Sequence, residues 1–104
     1  MPQKQWLYRI QPAREDMLVS GPTPREEKIV GEHFSYLKGL TEKGIVLLAG
    51  RTLNTDPSSF GIVIFKAGDE MAAARIFADD PAVKAGVFMG EVYPYSVALV
   101  GKFE

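Results

Sequence analysis

No cysteine occurs among the 104 residues, which excludes disulfides, thiolate metal sites and cysteine nucleophiles together. Histidine and tryptophan occur once each. One imidazole without thiolates would leave carboxylates as nearly all the ligands of any metal, so no metal site is expected. Charge of one sign is missing too. With 12 basic and 13 acidic residues there is no electrostatic case for nucleic acid or an anionic membrane. No apolar run approaches the ~20 residues of a membrane-spanning helix. The opening Met1-Pro2-Gln3-Lys4-Gln5-Trp6 lacks the apolar stretch of an export signal. No glycine pattern fits a nucleotide loop, and Ser58-Ser59 lacks the flanking glycines of a nucleophile elbow. These absences predict a cytoplasmic, soluble single domain over residues 1–104 that works without a cofactor.

What is present begins with an alternating stretch, Trp6 to Ile10, that reads as a strand. Residues 11–22 form a long loop with a small apolar island, Met17-Leu18-Val19. Loops of that length often cover sites. A helix then starts at Thr23, with Pro24 at its first position and Glu26 completing a Thr-x-x-Glu capping box. It stops at Gly44, a residue free to adopt the left-handed conformation. Ile45–Ala49 and Phe60–Phe65 read as the next strands, and Asp69 caps a second helix through Phe77. Asp79-Asp80-Pro81 breaks that helix and starts a short turn ending at Gly86. Val87–Tyr93 and Ser96–Val100, divided at Pro94, are the last extended segments.

The order strand, helix, strand, strand, helix, strand is that of an α+β, ferredoxin-like split βαβ fold. Its antiparallel sheet carries both helices on one face. Such a sheet should alternate apolar and polar side chains. Yet Ile45–Ala49, Ile62–Phe65 and Val97–Val100 are apolar on both faces. The second face therefore calls for a cover, and the simplest is a second copy packed sheet to sheet as a homodimer.

His33 stands near the centre of an apolar helical arc shared with Ile29, Val30, Phe34, Tyr36, Leu37 and Leu40. A ring so placed needs a hydrogen-bond partner. It serves either packing or acid–base chemistry, for which imidazole is suited near neutrality. Asp79 or Asp80 is either a helix cap or the carboxylate that orients that ring, because both helices share one face.

Four segments resemble the YciI-like, or YCII-related, family. They are His33-Phe34-Ser35-Tyr36-Leu37, Gly44-Ile45-Val46-Leu47-Leu48-Ala49-Gly50, Asp79 through Val87, and Glu91-Val92-Tyr93-Pro94-Tyr95. The resemblance implies a dimeric α+β barrel and a histidine–aspartate active-site pair, which maps onto His33 and Asp80. The family it resembles includes a dehydrochlorinase of a chlorinated hydroxyhydroquinone. Two positions depart from its pattern: Arg51 stands where relatives usually have proline, and Ala82 where phenylalanine is common.

Two functions follow as expectations. One is an acid/base enzyme of lyase or isomerase type acting on a small cyclic or aromatic molecule. His33 and Asp80 would be catalytic, with Arg51 and Tyr36 as substrate contacts. The other is a non-catalytic dimeric module that binds a small ligand or a protein partner, with His33 used for packing. A cavity opening beside His33 discriminates them.

Overall fold

The computed structural model describes residues 4–103; Met1, Pro2 and Gln3, which open the segment read above for an export signal, lie outside the described residues. Eight elements follow one another: β1 (Gln5–Pro12), α1 (Asp16–Ser20), α2 (Pro24–Glu42), β2 (Val46–Arg51), β3 (Gly61–Lys66), α3 (Glu70–Ala78), α4 (Pro81–Lys84) and β4 (Phe88–Tyr95). The sheet order is β2-β3-β1-β4, with every neighbouring pair antiparallel. This is the split βαβ arrangement expected from the element order.

Alternation along β1 sorts the two faces. Trp6, Tyr8 and Ile10 are buried on the helix side, opposite Phe65, Val63 and Gly61 of β3. Tyr8 anchors this core, edge-on to Phe65 at 5.6 Å and to Phe77 at 5.1 Å between ring centroids. Such pairs add ~0.5–1.5 kcal/mol each beyond the area they bury. Trp6 donates its indole N–H to the Ala67 carbonyl at 3.0 Å, so its polar edge is satisfied inside the core.

The helix ends form as the sequence predicts. Thr23 accepts from the Glu26 backbone, and Glu26 accepts from the Thr23 backbone, a closed capping box. Gly44 takes φ +76°, a conformation costly for any residue with a Cβ. Glu26 also receives Arg14 in a forked ion pair, 2.6 and 3.0 Å, while Arg14 bonds the Gly21 carbonyl. That clamp fixes the connection from β1 to α2, where the expected loop contains the short helix α1.

Three expectations fail in detail. Ser96–Val100 is not a strand, and Leu99 and Val100 are almost fully exposed. β4 instead runs through Pro94, which an edge strand tolerates because no outer neighbour needs its missing N–H. Both ladder sides of β1 are taken by β3 and β4, and the tail adds to neither outer edge of the sheet. The apolar arc of α2 is also wider than its buried stripe: Leu37 is buried, but Phe34 is 67% exposed. The second sheet face is less apolar than expected, since Val97–Val100 lies outside the sheet and Arg9 pairs there with Glu91. What remains apolar is the row Leu48, Ile64, Leu7 and Tyr93 across all four strands.

Candidate active site

Asp80 ends the link between α3 and α4 and performs two tasks at once. As N-cap of α4 its Oδ1 accepts from the Ala82 backbone N–H at 3.0 Å. The same carboxylate meets Nδ1 of His33, at 2.8 Å from Oδ1 and 2.7 Å from Oδ2. Tyr8 donates its hydroxyl to Oδ2 at 2.7 Å. Three donors thus converge on a carboxylate with 0% exposure, far from any water that could replace them. The cap and the histidine partner, set out above as alternatives for this residue, are the same side chain. Asp79, by contrast, is exposed.

His33 reaches this group from the middle of α2, and its ring stacks edge-on against Phe88 of β4 at 5.1 Å. With the carboxylate accepting, the network assigns the ring hydrogen to Nδ1. Nε2 is then left with its lone pair. It has no bonding partner, and among the described residues no buried polar side-chain atom is unpaired, so Nε2 stands at accessible space.

That space is a cavity of about 750 Å³ between α2 and the sheet, in the size range of small-molecule sites. His33 is on its wall, so the ring is not sealed among Leu37, Leu40 and the strands. The floor includes Ile10, Gly61 and Val63, whose partners in the register put them on the helix side. Met17 and Leu18, from the apolar island of the long connection, close one side, with Phe34 and Phe60 elsewhere on the wall. Arg51 also lines the cavity: it pairs with Gly61, the residue opposite Ile10, and so shares the inner face.

Tyr36 does not join them. It lies about 60° around the helix from His33 by the 100° step, and its hydroxyl donates to the Ile76 carbonyl at 2.6 Å. That carbonyl is in the last turn of α3, where no helical N–H is available to it. Burial first, then the Asp79 and Asp80 charges, push the Tyr36 phenol up to about 12. It is a packing and capping residue rather than a cavity contact. The sequence reading missed Tyr8, which looks like any inward strand residue. Burial, followed by the neighbouring Asp80 charge, drives its phenol far above the ordinary tyrosine value, so it remains a donor.

Among the described residues no three histidine, aspartate or glutamate side chains cluster as a metal site would require. No helix among them is long and apolar enough to cross a membrane.

The YCII-related domain matches residues 6–96 of this chain. Among solved structures the chain is similar to 5-chloro-2-hydroxyhydroquinone dehydrochlorinase (TftG) from Burkholderia phenoliruptrix AC1100, in complex with 2,5-dihydroxybenzoquinone. The identity is 20%, the TM-score 0.64, and the match covers 89% of this chain and 95% of that one. At that identity the likeness shows a common fold. No curated protein matches the chain.

Proposed function

The chain belongs to the YCII-related domain family, and on that premise we propose that it is an enzyme that moves protons on a small cyclic or aromatic molecule. The observation that carries this reading is the His33 ring, held at Nδ1 by Asp80 with Nε2 free at the cavity wall. A base in this position takes a proton from a ring carbon next to a carbonyl or hydroxyl group. The C–H electron pair then forms a new double bond. In the lyase case a leaving group on the neighbouring carbon departs with its bonding pair; in the isomerase case His33 returns the proton to a different carbon. Asp80 keeps the ring in one tautomer and offsets the charge of the imidazolium that forms. Tyr8 and the Ala82 N–H hold Asp80 in place. Burial of Asp80 lowers the dielectric around it, which strengthens its interaction with the ring. Arg51 is proposed as a substrate contact.

We further propose that the protein acts as a soluble, cytoplasmic homodimer packed through the sheet face opposite the helices. The row Leu48, Ile64, Leu7 and Tyr93 supports that choice of face.

Proton transfer can be detected before the reaction is known. Incubation with a panel of cyclic ketones, hydroxyquinones and ring acids in D2O, followed by mass spectrometry, should reveal deuterium entering one member. A panel that gains no deuterium above the no-enzyme control, and loses no leaving group, contradicts the reading.

A further inference from the structure

The cavity has a cationic end that the proton-transfer chemistry does not use. Arg51 and Lys38 both line it, against one carboxylate, Glu42. Among the described residues neither cation has a hydrogen-bond or ion-pair partner, and Glu42, one turn beyond Lys38 on α2, is bridged to neither. Everything else on the nearby wall is apolar or uncharged: Leu37, Thr41, Ala49, Phe60 and Val63. Arg51 is exposed, so its guanidinium, with no protein partner among the described residues, is open to an anion at this end of the cavity.

Its distance from His33 follows from the register. Arg51 pairs with Gly61, Gly61 with Ile10, and Ile10 with Gly90, in one row across the sheet. Phe88, on which the His33 ring rests, is two residues from Gly90 on the same face of β4. Three strand spacings of ~4.8 Å separate the Arg51 and Gly90 backbones by about 14 Å. Lys38 is five residues past His33, about 7.5 Å along the helix at ~1.5 Å per residue. The imidazole and the cations therefore occupy opposite ends of one space.

We propose that the substrate is a cyclic or aromatic carboxylate, its anion held by Arg51 and its reacting carbon turned toward His33 about one ring away. The guanidinium fork matches the two carboxylate oxygens and bonds them as a pair. Lys38 adds a second positive charge at the same end. This assignment rests on the proton-transfer reading for the meaning of "substrate", but the anion site is tested by binding alone.

Benzoate and benzamide share shape and differ in charge, and serve as the probes. Titration followed by NMR at the His33 ring should show benzoate binding the wild-type protein about tenfold more tightly than benzamide. That is the scale of one charge-assisted hydrogen-bond pair. The preference should vanish in Arg51→Met and survive in part in Arg51→Lys. Because Arg51 is exposed, neither variant disturbs the core, which thermal melts check. His33→Asn should keep the benzoate preference, read on neighbouring resonances, whether or not it turns over any substrate. Failure of the acid–base reading therefore leaves this result standing. Equal affinity for the two probes, a preference that survives Arg51→Met, or no binding of either at millimolar concentration overturns the proposal.

Discussion

Asp80 turns both carboxylate oxygens toward Nδ1 of His33, at 2.8 and 2.7 Å, while its backbone begins α4. Tertiary contact and helix start are therefore linked through one side chain. Replacement of Asp80 by alanine removes the cap and leaves the Tyr8 hydroxyl and His33 Nδ1 unpaired in a buried setting. Each buried donor left unpaired costs ~1–3 kcal/mol and the lost cap ~1 kcal/mol more, a destabilisation measured by urea unfolding. Asp80→Asn keeps an acceptor oxygen and should lose less stability, yet it should depress turnover because an amide can favour the wrong imidazole tautomer.

Tyr8→Phe removes one donor to Asp80 and nothing else of comparable size. A cost of ~1–3 kcal/mol is expected for a buried carboxylate deprived of that bond. Because Tyr8 positions Asp80 without lining the cavity, benzoate affinity should be little changed. A variant as stable as wild type would remove Tyr8 from the network.

The helix caps, the two-helix order and the strand spacing were legible because each depends on local chemistry: Thr23 with Glu26, Gly44 at its turn, Asp69 before its helix. His33 stood out because a polar residue interrupted an apolar arc. Its match with Asp80 was written in the resemblance of two segments, since separation along the chain says nothing of contact across α2 and α4. Tyr8 was hidden, because a hydroxyl on an inward tyrosine leaves no mark in the alternation of a strand. Tyr36 shows the same limit: the periodicity that puts it near His33 could not show the carbonyl at the end of α3 to which its hydroxyl donates. The missing last strand failed on topology. Val97–Val100 has strand composition, but composition cannot show that the segment pairs with neither edge of the sheet.

Gly90 of β4 lies opposite Ile10 of β1. A Cβ there would lie 1.8 Å from the Arg9 carbonyl oxygen, a backbone atom that cannot swing aside. Gly90→Ala must therefore part the two strands and should destabilise by at least the ~1–3 kcal/mol of an overpacked core. Gly31→Ala, on an open part of α2 with nothing within 4 Å, is the control. It should stabilise slightly through helix propensity. Equal melting temperatures for the two variants would contradict this.

The Arg14–Glu26 clamp predicts an acid response. The side-chain bond from Arg14, then the Thr23 backbone, hold the Glu26 carboxyl down at about 2, against 4.5 for a free glutamate. A lowered folded value means that the unfolded chain binds the proton first as pH falls. The contribution is therefore complete above about pH 4.5 and fades between there and pH 2. Unfolding at pH 5 and pH 3 should show a smaller drop in Glu26→Gln than in wild type. Identical drops would show that the clamp does not titrate with folding.

Self-association is tested by sedimentation at micromolar concentration, where a dimer is expected. Leu7→Lys, placed in the apolar row of the outer face, should shift it to monomer without unfolding it. A wild-type monomer would contradict the dimer.

The central claim is that Nε2 of His33 carries the proton, and His33→Asn tests it most directly. The amide can still donate to Asp80 in similar volume, so fold and ligand binding should persist. On whichever panel member takes up deuterium, the rate of exchange should fall by ~10²–10⁴-fold, the usual contribution of a general acid or base. Exchange at the wild-type rate in a folded His33→Asn protein would contradict the account.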